Sequence, residues 1–478
     1  MEITEANVRE LVQQVLASLD GKILKGGTPS VTSAAAAGHG VFPDIDSAAR
    51  AARSAHEQLM ARTLETRRRM IAAMRQAVLG NLDRLADAAV RETGMGRRED
   101  KAAKNRVAAE MSPGVEDLRP VTFSDDHGLT LVERAPYGVV GSITPSTNPT
   151  ETIIGNAINM IAAGNSVVFN PHPSAKGVSA FTIDLLNRAI VSAGGPENLL
   201  CTVAEPTIQS AQSLFEHEQI DLLVVTGGPG VVRAAMKSTK KVIAAGPGNP
   251  PCVVDETADL VKAGRDIVSG TGFDNNIICI DEKEILAVDS IADALKAELR
   301  SNGACELSRA QIDAVTGLVI ADAGGPGHEG APNKEFVGKD AAVIARAIGL
   351  DVPADTRILL CEVDAEHPLV WTEQLMPVIP LVRCSDVDAA IDLAKACEHG
   401  FRHTAVMHSR NIEALSRMAK VMNCSLFVKN GSAYNGVGFG GAGFTSWTIA
   451  SPTGEGLTRA ATFTRERRCA LIDYFRIV

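Results

Sequence analysis

Residues 138–170 read GVVGSITPSTNPTETIIGNAINMIAAGNSVVFN, and they give the strongest indication of the fold class. The apolar run at the start predicts a strand over 138–143, and the apolar run at the end predicts a second strand over 166–169. A helical segment lies between them. A strand, a helix and another strand in this order predict a parallel sheet with helices on its faces.

The same alternation of strands and helices continues along the chain. Further strands are predicted at 199–203, 221–225 and 241–244, with helical segments between them. Loops rich in Pro, Gly and Asn follow these strands, and sheets of this kind bind ligands beyond the carboxyl ends of their strands. The candidate ligand loops are 144–149, 170–173, 226–230 and 246–250.

Three glycines in the loop after the strand at 221–225 suit the approach of a nucleotide. Gly227, Gly228 and Gly230 leave room for a phosphate or a nicotinamide at the start of the following helix. However, Arg233 stands where the dinucleotide fingerprint G-x-G-x-x-G requires its last glycine. Tight turns between sheet elements explain the same glycines equally well, so the nucleotide site is a hypothesis at this point.

One cysteine has the local setting of a nucleophile. Cys279 lies in the stretch TGFDNNIICIDEKE, residues 271–284, where Gly272, Asn275 and Asn276 favour tight turns. The apolar run 285–288 predicts a strand that would hold the thiol in place. Such a thiol attacks a carbonyl carbon when its thiolate is favoured. A buried structural thiol is the alternative, because free cysteines are commonly buried and inert.

The bulk composition excludes several classes of protein. A chain of 478 residues has room for two or three domains, and its net charge of −10 argues against nucleic acid or an anionic membrane as a partner. No apolar run approaches the ~20 residues of a spanning helix. The nine cysteines include no CxxC pair. We therefore expect no membrane span, no metal site and a reducing cytoplasm as the compartment.

The ends of the chain carry separate signals. Apolar residues at helical spacing predict an amphipathic helix over 5–19, and a Gly/Ala/Ser/Thr-rich stretch at 25–40 predicts a flexible linker. We expect the helix to dock in a groove of a partner, with folding back onto the body as the alternative. Residues 121–133 predict a strand pair that serves as an interface arm, and residues 470–478 predict a strand that joins a neighbour's sheet.

Several landmarks occur together in a characteristic order. They are Thr144-Pro145 with Asn148 close behind, AAGNSVV at 162–168, Thr226-Gly227, Cys279, and Glu373 with PV at 377–378. In this order and spacing they resemble the aldehyde dehydrogenase superfamily over the whole chain after the linker. The segments PSTNPT (145–150), FNPHP (169–173), GFDNN (272–276) and PTGEGLT (452–458) resemble its CoA-acylating branch, the propionaldehyde and acetaldehyde dehydrogenases of bacterial microcompartments.

This resemblance implies an α/β, aldehyde dehydrogenase-like fold. Its parts are a Rossmann-type cofactor domain, an α/β catalytic domain and a small β oligomerisation arm, and the protein is expected to be a homodimer or tetramer. The implied boundaries are a targeting helix at 1–20, a flexible linker at 21–43, the cofactor-binding domain at 44–244 with its arm near 121–133, the catalytic domain at 245–430, and a C-terminal return segment with an oligomerisation strand at 431–478.

Two positions depart from the hydrolytic members of the superfamily. Ala245 occupies the register of the glutamate that activates water in those enzymes, so the acyl-enzyme lacks a base aimed at water. A thiol with a pKa of ~8.5 needs far less activation, and the resemblance therefore implies transfer to CoA. Asn170 replaces a lysine that holds the adenosine ribose, and His172 is the candidate substitute.

The resemblance also implies roles for the site residues. Cys279 attacks a short-chain aldehyde, and the side chain of Asn148 and the backbone amide of Cys279 stabilise the oxyanion. When the residues are counted without a gap, Thr147 rather than Asn148 falls at the position of the family's asparagine. NAD accepts the hydride, Glu373 holds the nicotinamide ribose, and CoA collects the acyl group. The other candidate cofactor contacts are Thr144, Pro145, His172, Thr226, Gly227, Gly228 and Gly246.

The N-terminal helix resembles the encapsulation peptides that dock microcompartment cargo onto shell proteins. We therefore expect residues 1–20 to bind a shell protein and the enzyme to lie in the cytoplasm inside a bacterial microcompartment. Propionaldehyde is the favoured substrate. The open alternatives are acetaldehyde as main substrate, water or phosphate as the acyl acceptor, and a non-catalytic, shell-associated nucleotide-binding protein.

Overall fold

A computed structural model describes residues 39–478 of the protein. The helix predicted over 5–19 lies outside the described residues, as does all of the predicted linker before residue 39. None of the helices within residues 39–478 has the length and hydropathy of a membrane span.

The helices begin and end at sequence signals. Asp44 caps the first helix, because its Oδ1 accepts a hydrogen bond of 2.8 Å from the Ser47 amide. The helices are α1 Ile45–Met60, α2 Leu64–Leu79, α3 Leu82–Thr93, α4 Arg98–Met111, α5 Pro149–Ala162, α6 Lys176–Ser192, α7 Ile208–Glu216, α8 Pro229–Ala235, α9 Leu260–Thr271, α10 Asp289–Ser301, α11 Arg309–Val319, α12 Ala341–Ala347, α13 Pro368–Trp371, α14 Val387–Cys397 and α15 Ile412–Met422.

The strands are mostly short and buried. They are β1 Val41–Phe42, β2 Val121–Asp125, β3 Gly128–Pro136, β4 Val139–Thr144, β5 Ser166–Pro171, β6 Leu200–Val203, β7 Leu222–Thr226, β8 Lys241–Ala245, β9 Pro251–Val254, β10 Glu284–Val288, β11 Ala304–Glu306, β12 Ile320–Asp322, β13 Ala331–Pro332, β14 Ile358–Glu362, β15 Val378–Cys384, β16 Thr404–His408, β17 Leu426–Lys429, β18 Ile449–Ala450, β19 Gly456–Leu457 and β20 Thr464–Ile472.

The first sheet has six parallel strands in the order β1-β6-β5-β4-β7-β8. Successive residues of β4 face opposite sides of this sheet. Val140 packs in the hydrophobic cluster that includes residues of α2, α5 and α6, whereas Val139 packs in the cluster that includes residues of α1 and α7. Both faces are thus covered, and the α/β fold class predicted from the alternation is confirmed.

The second sheet has seven parallel strands in the order β11-β14-β15-β10-β9-β16-β17. Its central strand, β10, directly follows the segment that contains Cys279, and Ile285 is in register with Cys252 of β9 and Leu381 of β15. The predicted domain boundary after residue 244 lies one residue before the end of β8, and the division into two domains stays a prediction. The loop that joins β8 to β9 therefore connects the first sheet to the second along the chain.

A third sheet is antiparallel, with the order β2-β3-β20. Strands β2 and β3 occupy the position of the predicted strand pair, and Phe123 on β2 is 56% exposed. The C-terminal strand spans Thr464–Ile472 rather than the predicted 470–478, and it pairs with β3 of its own chain. Its predicted addition to a neighbour's sheet stays a prediction. The predicted homodimer or tetramer stays a prediction.

Candidate active site

The segment that leads to Cys279 has an unusual backbone. Three consecutive residues, Asp274, Asn275 and Asn276, have φ values of 45°, 57° and 61°. Asp and Asn adopt this left-handed conformation more readily than other residues with a Cβ atom. The side chain of Asn276 holds the turn, because its Nδ2 donates to the carbonyl oxygens of Thr271 and Glu282, both at 2.9 Å. The thiol is therefore presented by a fixed turn.

The turn is also attached to the residues that precede α4. The Arg97 amide donates to Asp274 Oδ1 at 2.7 Å, and Arg97 Nε donates to Asn275 Oδ1 at 2.8 Å. Asn275 Nδ2 in turn donates to the Gly338 carbonyl at 2.9 Å. A backbone in a sparsely populated conformation persists only when its surroundings hold it in this way. Arg97 and Asp274 are functional candidates that the sequence did not indicate.

A buried lysine braces the other side of the turn. Residues 281–284, Asp-Glu-Lys-Glu, are all fully buried despite their charge. Lys283 Nζ donates to Asn276 O at 2.8 Å, to Asn276 Oδ1 at 2.7 Å and to Ile278 O at 3.1 Å. All three N–H groups of this ammonium are thus committed to the residues just before Cys279.

Cys279 opens onto a cavity of 870 Å³ between the two parallel sheets. The cavity collects most of the residues that were predicted from the sequence. Those in its wall are Cys279, Asn148, Pro145, His172, Thr226, Gly227, Gly228, Gly246 and Glu373. Thr144 is the exception, because it is buried behind the wall and its carbonyl accepts a hydrogen bond from the His172 amide at 3.0 Å. The structure therefore does not bring the Thr144 side chain to the cavity.

Asn148 lies at the N-terminus of α5, directly before Pro149, and only 7% of it is exposed. Its Oδ1 accepts a hydrogen bond of 2.6 Å from Lys104 Nζ, and its Nδ2 donates to Thr147 Oγ1 at 3.2 Å. One N–H of this amide remains for a ligand. Thr147 lines the cavity as well, but its carbonyl is held by Lys101 Nζ at 3.1 Å.

Behind Asn148 lies a buried cluster of charges that the sequence analysis missed. Lys104 forms ion pairs with Asp274 at 2.5 Å and with Glu151 at 3.2 Å, and Lys101 pairs with Asp274 at 3.1 Å. The neighbouring carboxylates raise the pKa of Lys104 despite its burial, which keeps it charged. The one feature of the sequence that could have indicated this cluster is the three-residue spacing of Lys101 and Lys104, which places both on one face of α4.

The charges around the thiol set its reactivity. Burial and, to a lesser degree, the Glu373 carboxylate raise the pKa of Cys279 to about 12, and Lys283 opposes both effects. Burial also raises the pKa of Glu373 to about 7, although Lys283 and a hydrogen bond of 3.4 Å from the Gly248 amide favour its carboxylate. Without a ligand, the thiol is therefore mostly protonated at neutral pH.

We expect Glu373→Gln to speed the alkylation of Cys279 by iodoacetamide in the absence of dinucleotide. The variant removes a negative charge that raises the pKa of the thiol, so more thiolate is present at a given pH. The expected gain at pH 8 is about threefold to tenfold, because the thiolate fraction rises as the pKa of the thiol falls. The gain should fall toward none below pH 7, where Glu373 itself becomes neutral.

Mass spectrometry of the Cys279 peptide measures this rate. Glu329→Gln is the matched control, because Glu329 lines the same cavity and raises the pKa of Glu373 rather than that of Cys279, so its removal should not speed alkylation. An unchanged alkylation profile in Glu373→Gln, or a slower reaction above pH 7, would contradict the assignment of this charge.

Two further wall residues bear on the chemistry. Ala245 ends β8 and lines the cavity, so the position that carries a water-activating glutamate in hydrolytic relatives has no carboxylate. Asn170 is buried at the end of β5, and its Oδ1 accepts a hydrogen bond of 2.5 Å from Ser210 Oγ. His172 is exposed at the cavity, with its Nδ1 2.7 Å from Ser174 Oγ. No group of three metal-ligating side chains occurs among residues 39–478.

The protein has an aldehyde dehydrogenase-like fold. Two parallel sheets flank a cavity, and a cysteine on a rigid turn lies in the cavity wall. The chain belongs to the aldehyde dehydrogenase family, whose model matches residues 31–304. It is 52% identical to the acetylating acetaldehyde dehydrogenase EutE of Escherichia coli K12, over 98% of this chain and 99% of that protein. It is 47% identical to the CoA-propanoylating propanal dehydrogenase of Salmonella typhimurium LT2, over 94% and 96%.

Solved structures agree with these relatives. A Rhodopseudomonas palustris propionaldehyde dehydrogenase with bound CoA and an acylated cysteine is 47% identical, with a TM-score of 0.88 over 91% of this chain and 98% of that one. A propionaldehyde dehydrogenase from the fucose utilisation bacterial microcompartment of Clostridium phytofermentans is 45% identical, with a TM-score of 0.89 over 92% and 100%. An engineered glycolyl-CoA reductase with bound NADP⁺ is 47% identical, with a TM-score of 0.89 over 93% and 100%. The predicted family and its CoA-acylating branch are confirmed.

Proposed function

We propose that this protein oxidises a short-chain aldehyde with NAD⁺ and transfers the acyl group to CoA, with propionaldehyde as the favoured substrate. One observation carries the proposal. Cys279, Asn148 and Glu373 line a single cavity, whereas Ala245 offers no base to water. The relatives named as acetylating and CoA-propanoylating enzymes support the same acceptor.

The first half of the reaction forms an acyl-enzyme. The Cys279 thiolate adds to the aldehyde carbon, the C–S bond forms, and the carbonyl electron pair moves to the oxygen. The remaining N–H of Asn148 and the backbone N–H of Cys279 donate to this oxyanion. The oxyanion then collapses to a thioester on Cys279: its electron pair re-forms the C=O bond as the C–H bond breaks. NAD⁺, when bound, would supply the acceptor for the hydride that leaves.

The second half transfers the acyl group between two sulfur atoms. The thiolate of CoA attacks the thioester carbon, and the Cys279 thiolate leaves. A free thiol has a pKa of ~8.5, so it ionises without the strong base that water requires. In sum, the aldehyde, NAD⁺ and CoA are consumed, and acyl-CoA, NADH and a proton are formed.

The cavity wall suits a dinucleotide. A Cβ atom at Gly228 would meet no heavy atom within 4 Å, so this part of the wall leaves open space. We assign Gly228, Thr226 and Gly246 to the contacts with NAD⁺, and Glu373 to the hydroxyls of its nicotinamide ribose. A positive nicotinamide near Cys279 would lower the pKa of the thiol, and so favour the thiolate when both substrates are present.

The test is NADH formation from aldehydes of two to four carbons, each with and without CoA. We expect sustained turnover only with CoA, acyl-CoA as the product, and the highest rate with propionaldehyde. Acetaldehyde differs by one methylene, which is worth only ~1–3 kcal/mol, so its rate decides the main substrate. NADP⁺ is tested in the same assay. Turnover with water or phosphate alone supports another acceptor, and no dinucleotide reduction at all supports a non-catalytic protein.

We also propose that residues 1–20 attach the enzyme to a microcompartment shell. The apolar spacing in 5–19 and the microcompartment origin of the Clostridium phytofermentans relative support this role. Deletion of residues 1–20 should leave kcat and KM unchanged and reduce co-purification with assembled shells by about tenfold or more, the loss expected from removing a helix that binds in a groove. Equal co-purification of the truncated protein would contradict the proposal.

A further inference from the structure

Both proposed oxyanion donors are amides whose oxygen atoms contact a buried ammonium. The Oδ1 of Asn148 accepts a hydrogen bond of 2.6 Å from Lys104 Nζ. Ile278 O, the carbonyl of the peptide that carries the Cys279 N–H, accepts a hydrogen bond of 3.1 Å from Lys283 Nζ. The two lysines come from α4 and from the segment before β10, so each donor has its own cation.

A cation on the oxygen of an amide changes what its nitrogen does. It draws electron density toward the oxygen, which makes the N–H a stronger donor, and hydrogen bonds in such chains strengthen one another. It also fixes the orientation of Asn148, because a flipped amide would direct its NH₂ group at the ammonium. The effect is larger for buried groups such as these, because charges in the protein interior are poorly screened.

Both lysine side chains are buried, and protein atoms rather than solvent hold their ammonium groups. Lys104 is 1% exposed; its Nζ donates a hydrogen bond to Asn148 Oδ1 and forms ion pairs with Asp274 and Glu151. Lys283 is 0% exposed and meets three neutral oxygens, and within residues 39–478 it forms no ion pair with a carboxylate. A buried ammonium is costly unless opposite charge lies near it. The carboxyl groups of Glu282 and Glu373 are near enough for Lys283 to lower their pKa, and a negative charge that develops next to Cys279 would be favoured in the same way.

We propose that Lys104 and Lys283 are positioning residues that orient and polarise the two oxyanion donors, Lys104 through the Asn148 side chain and Lys283 through the Ile278–Cys279 peptide. This inference rests on the proposed function. The two buried lysines thus act in the chemistry and do not serve only to stabilise the fold.

A double-mutant cycle tests the Lys104 half. The rate of the first NADH turnover is measured for Lys104→Met, Asn148→Ala and the double variant. Lys104→Met is expected to slow this turnover by about tenfold to a hundredfold, less than the full loss of a donor. In the Asn148→Ala background the same change should cost at most about twofold, because the donor through which Lys104 acts is gone. Independent, multiplicative effects would overturn the inference.

The infrared stretch of the acyl-enzyme carbonyl tests both lysines directly. The acyl-enzyme is made with propionyl-CoA labelled with ¹³C at the thioester carbon, and excess ligand is removed. Strong oxyanion donors lower this frequency, so we expect it to be higher in Lys104→Met and Lys283→Met than in the unmodified protein. Lys101→Met is the matched control, because Lys101 is equally buried and also pairs with Asp274. Its Nζ donates to the Thr147 carbonyl and does not contact the side-chain amide of Asn148. This variant should keep the unmodified frequency.

The outcomes separate the two claims. If a methionine variant does not fold, the glutamine variant of the same lysine replaces it, and the same rise in frequency is expected. If the unmodified protein forms no acyl-enzyme with propionyl-CoA, the proposed function fails. If it does, and the Lys104 and Lys283 variants acylate with an unshifted carbonyl frequency, only the inference about the lysines fails.

Discussion

Replacement of Cys279 by alanine is expected to abolish acyl-CoA formation, with kcat at least about 10⁴-fold lower, as for the loss of a covalent nucleophile. No other side chain in the cavity wall can form the thioester, because Cys279 is the one cysteine in that wall among the described residues. NADH should still bind, since the proposed cofactor contacts are untouched. Steady-state assays and NADH fluorescence measure the two properties separately.

Cys305→Ala is the matched control for this experiment. Cys305 is also partly exposed, but it lies on β11 and does not line the cavity. Its variant should keep kcat within about twofold, as expected for a substitution away from the site. Substantial acyl-CoA formation by Cys279→Ala would refute the assignment of the nucleophile. Loss of both turnover and NADH binding would instead indicate a folding defect and require a Cys279→Ser variant.

Replacement of Asn148 by alanine is expected to lower kcat by about 10²–10³-fold with little change in KM, because an oxyanion donor acts mainly in the transition state. The aldehyde has a neutral carbonyl when it binds, so it gains less from this amide than the oxyanion does. The first NADH turnover should slow by the same factor. This distinguishes a defect in thioester formation from slow product release.

Thr147→Ala decides between the two neighbouring positions that the sequence left open. Thr147 contributes a hydroxyl that accepts from Asn148 Nδ2 and a carbonyl that accepts from Lys101. Since the variant keeps the Asn148 amide and its bond to Lys104, we expect a loss of no more than about fivefold, the loss of a supporting hydrogen bond. A larger loss for Thr147→Ala than for Asn148→Ala would reverse the assignment.

The sequence predicted the parts of the fold and site that depend on local patterns. The strand predicted over 138–143 is β4, Val139–Thr144, and the strand predicted over 166–169 lies within β5. Continuous apolar runs identify buried parallel strands because both faces of the sheet are covered. The loops that follow such strands converge at one edge, so Asn148 and Gly227 line the same cavity. The order of motifs along the chain, which resembles that of the aldehyde dehydrogenase superfamily, predicted Cys279 and Glu373 as further site residues.

The parts that were missed depend on contacts between distant segments. Lys104 resembles a surface lysine in the sequence of α4, and its burial follows from Asp274, which lies 170 positions later. Lys283 sits in a charged run that is typical of a solvated turn, yet it is fully buried. Thr144 does not line the cavity, because the last residue of a strand can face either side of its sheet, and its predicted contact with the cofactor stays a prediction. No local pattern carries this information.

The central claim is that the acyl group waits on Cys279 for a thiol. The most direct measurement counts NADH per protein chain after propionaldehyde and NAD⁺ are added without CoA. We predict a burst that ends at about one NADH per chain, one acyl group per Cys279 by mass spectrometry, and renewed NADH formation when CoA is added. Continued NADH formation without CoA, with propionate as the product, would contradict the account.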